Sequence, residues 1–271
     1  MNLQSKELIG SKVSIIGFGL IGGSIAKSLK KRMPNIEISS LQGDFRDLQQ
    51  AVQEEFIDIL FKTWEELISW SDLIILSTPL STLSELAMEI GRRCPKEKKL
   101  LVIDVGSVKK AVMPAFESAT KNNIEFLSTH PMAGKEKWGF SHSDPDLFEN
   151  CHWIISPHAK NRTESVKIIG EWIEALGAKP VILTPEKHDG QVTLISHLPA
   201  LISRLLALFV ETKDPEALKI AGPGFHSMTR LAKDNPQLQS EIVLLNHEEL
   251  THQLTQWLAF VDAIQRRGPA L

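Results

Sequence analysis

The chain has 271 residues, is 42% hydrophobic and 23% charged, and carries a formal net charge of −3 at pH 7. That composition is globular, with length for about two domains, and it excludes a disordered tail, a collagen-like fibre and a disulfide-stapled miniprotein. The slight acidic excess argues against a nucleic-acid or anionic-membrane surface, which needs clustered Lys and Arg. Two cysteines, Cys94 and Cys151, make no disulfide framework and point to a reducing, cytoplasmic setting. Tyrosine is absent, so no mechanism that uses a tyrosine acid or base is open to this protein.

The first uncharged run, 13–26, follows Lys12 but is interrupted by four glycines and continues as an amphipathic helix, which does not suit a secretory signal. From the start to about residue 157, short apolar runs alternate with longer amphipathic stretches, the pattern of βα units in a parallel sheet. Strands are expected at 13–17, 37–41, 58–61, 73–77, 100–105, 125–128 and 153–156. Helices are expected at 24–31, at 83–90 and 108–121 after the cap signals Ser81 and Ser107, and at 164–176 before Gly177. A short run at 181–183 adds an edge strand. Beyond it the texture turns helical, with polar breaks at 213–215, 222–224 and 234–236. A second uncharged run, 190–203, is shorter than the roughly 20 residues that span a bilayer. The expectation is an α/β protein: a Rossmann-type doubly wound sheet over 1–184, then an all-helical domain over 185–271. A helical module this small needs a further surface for its apolar face.

Gly17-Phe18-Gly19-Leu20-Ile21-Gly22 directly follows the first strand and opens a helix. The first glycine permits a tight turn, the second lets the backbone approach a pyrophosphate, and the third lets helix and strand pack closely. Asp44, 22 residues beyond Gly22, is placed to accept from adenosine ribose hydroxyls, which favours NAD; Arg46 could instead pair with the extra phosphate of NADP. Both could equally be a solvated loop pair.

Ligands of open α/β sheets lie beyond the carboxyl ends of the strands. There stand Ser77-Thr78-Pro79, then 104–109 with Ser107, then 129–134 with His130. Ser77, Thr78 and Ser107 could simply cap helices, although Ser107 could also hold a nicotinamide carboxamide or an imidazole. His130 is the best general-base candidate of nine histidines, since neutral imidazole accepts a proton near pH 7. No metal site is expected: His247 and His252 are five apart, so on a helix they diverge, and His152 and His158 lack matching ligands. In the helical half, His197 precedes Leu198-Pro199, and Arg230 could form two parallel hydrogen bonds to a carboxylate.

Taken together, GFGLIGGS, STP, DVGSVK, THPMAG followed by Lys135-Glu136-Lys137, His188-Asp189, SHLPA, and GPGF followed by TR resemble the prephenate and arogenate dehydrogenases of tyrosine biosynthesis. The likeness covers residues 13 to about 260. It implies an NAD(P)-dependent oxidative decarboxylation in which His130 takes the substrate hydroxyl proton and Ser107 bridges it to the nicotinamide. It also implies that Arg230 pairs with a substrate carboxylate, that His197 approaches the substrate side chain, and that helical domains join two chains into a homodimer. Lys135, Glu136 and His226 stand where substrate choice is expected to be decided. His226 and Ser227 replace a frequent lysine and aspartate, and Ala200 a frequent histidine. Other readings of the residues are a β-hydroxyacid type of dehydrogenase and a non-catalytic dinucleotide sensor.

Overall fold

The computed structural model describes residues 10–267. The chain divides into two compact units between Pro185 and Glu186. In the first, β1 (Lys12–Ile16), β2 (Glu37–Leu41), β3 (Ile59–Phe61), β4 (Leu73–Leu76), β5 (Leu100–Asp104), β6 (Ile124–Pro131), β7 (His152–Ser156) and β8 (Lys179–Ile182) form one sheet in the order β3-β2-β1-β4-β5-β6-β7-β8. The connecting helices are α1 (Leu20–Arg32), α2 (Arg46–Gln53), α3 (Trp64–Trp70), α4 (Leu80–Arg93), α5 (Met113–Ala119) and α6 (Thr163–Ala175). The first six strands have the Rossmann order, whose direction reverses between β1 and β4. Central strands are apolar because helices cover both faces: every residue of β4 is buried.

Four expectations need correction. The sheet is not all parallel, since β7 pairs antiparallel with β6; their connection contains only a short 3₁₀ turn, Phe140–His142, and no crossover helix to bring the chain back for parallel pairing. β6 runs to Pro131, so His130 lies inside the strand rather than beyond it. The helix expected from 108 begins at Met113. Pro114 has no N–H for the carbonyl four residues earlier, and it confines itself to the first helical turn. Ser81, likewise, lies within α4, whose cap position is Pro79.

The second unit comprises α7 (Pro185–Val192), a π-turn (Thr193–His197), α8 (Leu198–Lys213), a 3₁₀ turn (Pro215–Ile220), α9 (Pro223–Met228), a 3₁₀ turn (Arg230–Lys233), α10 (Pro236–Leu245) and α11 (His247–Arg267). The π-turn has a local cause. Pro199 cannot donate to the Ile195 carbonyl, and its ring would strike that oxygen in a regular α-helix. The widened turn keeps Pro185–Lys213 one continuous helix of 29 residues, longer than the uncharged run that marks it in the sequence and, by length and composition, long enough to cross a membrane. His188, Asp189 and His197 on this helix are nevertheless buried, while Ile195, Leu208 and Phe209 are exposed.

Candidate active site

Two loops, those after β1 and β4, meet at the reversal between these strands. Gly17 has φ +98°, open to glycine at little cost, and a Cβ there would lie 2.3 Å from the Ser77 carbonyl oxygen. A Cβ on Gly22 would lie 2.0 Å from the Gly17 carbonyl oxygen. Both glycines are therefore required by packing. Gly19 differs, because a Cβ on it would meet nothing within 4 Å among the described residues. It caps α1 with no side-chain cap and no acidic residue in the first turn, so the amides of Leu20, Ile21 and Gly22 are oriented for an anion that can approach through that open space. The residues fit a dinucleotide pyrophosphate.

Asp44 lies exposed beyond β2 and accepts a hydrogen bond from Gln49 Nε2 at 2.7 Å, while Arg46 opens α2. Ser77 donates its backbone N–H to Ile16 O at 2.7 Å, which ties the two loops together. Thr78 Oγ1 accepts from Thr82 Oγ1 at 2.8 Å. Neither residue is the helix cap that its sequence position suggested; that position is taken by Pro79.

Behind Ser107 and His130 lies a buried charge network that the sequence reading did not identify. Asp104 and Lys109 are fully buried, with Nζ 2.7 Å from Oδ2. Lys109 Nζ also donates to Thr129 O at 2.6 Å. Asp104 accepts from Gly106 N at 2.8 Å, Ser128 Oγ at 2.6 Å and Thr129 N at 3.1 Å. Thr129 Oγ1 in turn donates to Asp104 O and accepts from Trp153 Nε1. These bonds fix the carboxyl ends of β5 and β6 to one another. They anchor Gly106 immediately before Ser107, and Thr129 immediately before His130. Ser107 Oγ itself is buried and has no hydrogen-bond partner among the described residues, which suits a hydroxyl that bonds a ligand.

Lys135 and Glu136 lie on the exposed loop after β6. Lys135 Nζ is 2.8 Å from Asp144, whose carboxyl is held below the usual range chiefly by that lysine's hydrogen bond. The loop is stapled to α1: Asp144 N donates to Ser24 Oγ at 2.9 Å, and Lys27 Nζ sits 4.4 Å from the centroid of the buried Phe140 ring. A Cβ on Gly23 would lie 2.7 Å from that ring, so the fourth glycine of the motif serves loop packing.

In the second unit, His188 Nδ1 lies 2.7 Å from Asp189 Oδ1, both fully buried. His197 is 3% exposed. Burial pushes its pKa down to about 4, with Asp189 opposing and His188 adding to the shift. Its Nδ1 lies 3.1 Å from Asn246 Nδ2, a partner with no signal in the sequence. His226 on α9 and Arg230 on the following turn are exposed. Ala232 N donates to Ser203 Oγ at 3.1 Å, which fastens the Arg230 turn to α8.

Residues 25–182 match the family model "Prephenate dehydrogenase, nucleotide-binding domain", and residues 184–267 match "Prephenate dehydrogenase, dimerization domain". The chain belongs to the prephenate dehydrogenase family. Among similar proteins, the prephenate dehydrogenase of Lactococcus lactis is 30% identical over 260 residues, 93% of this chain and 70% of that one. The crystal structure of prephenate dehydrogenase from A. aeolicus with hydroxyphenyl propionate and NAD+ has a TM-score of 0.87 at 27% identity, covering 95% of this chain and 90% of that chain. Synechocystis arogenate dehydrogenase gives a TM-score of 0.77 at 26% identity, covering 93% and 90%. As a prephenate dehydrogenase family member the chain is an NAD-dependent oxidoreductase with a Rossmann-like first unit, and the β-hydroxyacid and sensor readings are not favoured.

Proposed function

We propose that this enzyme oxidatively decarboxylates prephenate to 4-hydroxyphenylpyruvate, or arogenate to tyrosine, with His130 as the general base. The observation that carries the reading is an alignment along one sheet edge. The open approach at Gly19 follows β1, the buried Ser107 hydroxyl, unpartnered among the described residues, follows β5, and His130 is the penultimate residue of the neighbouring β6. When bound, the nicotinamide accepts the hydride from substrate C4. His130 takes the C4 hydroxyl proton, the bond from C1 to its carboxylate breaks, and that electron pair completes the aromatic ring as carbon dioxide leaves. Ser107 orients the imidazole beside the nicotinamide. Arg230 holds a substrate carboxylate through its planar fork, and His197 meets the substrate side chain. Lys135, Glu136 and His226 bear on the choice between keto and amino substrates.

NAD is the cofactor that Asp44 favours; Arg46 leaves NADP open to test. The ligands are small molecules, with neither nucleic acid nor membrane as a partner, and the two free thiols suit a cytoplasmic setting. A homodimer through the second unit accounts for its exposed Ile195, Leu208, Phe209, Leu244 and Phe260. The test is His130→Asn, with reduced-cofactor absorbance followed for each substrate. The turnover number should fall by about 10² to 10⁴ while NAD affinity is unchanged; intact turnover refutes the assignment.

A further inference from the structure

Asn246 does not belong to any motif, yet it lies at the centre of the polar cluster in the second unit. It is the single residue between α10 and α11, 4% exposed, and its backbone is held from both sides: its N–H donates to Ile242 O at 2.9 Å and its carbonyl accepts from Leu250 N at 3.0 Å. The helix junction thereby sets where its amide points. The two N–H groups of that amide face two acceptors, Thr193 Oγ1 at 2.7 Å and His197 Nδ1 at 3.1 Å. Thr193 and His197 open and close the π-turn that Pro199 enforces, so one side chain spans the widened turn from end to end.

We propose that Asn246 is a positioning residue that locks the His197 imidazole in the neutral tautomer with its proton on Nε2, so that the ring meets the substrate only as a hydrogen-bond donor. An imidazole whose Nδ1 accepts an amide N–H must carry its proton on Nε2. Among the described residues no partner takes Nε2, and that atom is not among the buried side-chain atoms left unpartnered. The small accessible part of the residue therefore includes the Nε2 edge. Charge does not convert the ring to a cation: Asp189 is the acid that acts on it, His188 counters, and burial dominates both. Glu249 of α11 faces Gly190, with a carboxylate oxygen 3.7 Å from where a glycine Cβ would stand. A fixed N–H donor fits an acceptor oxygen, a carboxylate or keto group, on the substrate side chain. The functional half of the proposal rests on the reading of His197 as a substrate ligand.

The test uses the full chain labelled with ¹⁵N at histidine imidazoles, with the His197 signals assigned by their loss in His197→Gln. The wild-type ring should show a pyrrole-type Nε2 and a pyridine-type Nδ1 from pH 5.5 to 8. In the near-isosteric Asn246→Asp, which keeps the bond to Thr193, the carboxylate should draw a proton onto Nδ1. The substrate KM should then rise roughly ten- to hundredfold with kcat changed far less, and kcat/KM should acquire a new pH dependence. Asn246→Leu should give a mixture of tautomers. An Nδ1–H or cationic ring in the wild type, or an unchanged tautomer in Asn246→Asp, overturns the lock. A KM unmoved in Asn246→Asp despite an altered tautomer overturns the functional half, and if His197→Gln also leaves KM unmoved, the reading of His197 as a substrate ligand falls as well.

Discussion

Replacing Lys109 by methionine removes the ammonium from the buried network and retains most of the side-chain volume. Wild-type Asp104 accepts from that ammonium at 2.7 Å and from three neutral donors, Gly106 N, Ser128 Oγ and Thr129 N. Removing one partner of a fully buried ion pair costs about 3–5 kcal/mol, because the remaining charge has no counter-ion in a medium that solvates it poorly. The three remaining donors offset part of the loss, so Lys109→Met should lower the unfolding free energy by about 3–4 kcal/mol at pH 7. Urea unfolding of wild type and variant at pH 7, followed by far-UV circular dichroism, measures this directly. A loss below about 1 kcal/mol at pH 7 would refute the claim that this pair holds β5 to β6.

Four further outcomes follow. Gly22→Ala should destabilise the fold, since its methyl would stand 2.0 Å from the Gly17 carbonyl oxygen. Gly19→Ala should leave the urea midpoint intact and weaken NAD binding in calorimetry, because its methyl enters the space the pyrophosphate needs. Arg230→Ala should chiefly raise the substrate KM in steady-state assays, and a normal KM would mean that another residue holds the carboxylate. His197, with its pKa at about 4 in the folded chain, is neutral in both states above the ordinary value of 6.5. As pH falls below 6.5 the unfolded chain takes a proton that the folded ring refuses, so stability declines until about pH 4, by about 3 kcal/mol in all. His197→Gln should flatten the pH dependence of unfolding over that window, and an unchanged slope would remove His197 as its cause.

The sequence by itself determined the alternation of strands and helices in the first unit, the glycine turn, and the polar residues at the strand ends, because each is a local pattern: apolar runs, turn residues, positions just past a strand. It also carried the motifs between Ser77 and Arg230, which fall within the residues that the family models match. Even the late start of α5 was legible in Pro114, which the Ser107 cap signal overshadowed. Only the tertiary structure decided that β7 returns antiparallel, because strand direction depends on how a connection folds back rather than on which residues compose it. Only it distinguished Gly19 from Gly17 and Gly22, since a missing Cβ acquires meaning from the atom that would collide with it. The Asp104–Lys109 pair and the Asn246–His197 contact were hidden for the same reason. A buried charge or amide is tolerated only beside its partner, and for Asn246 that partner lies 49 positions away in the chain.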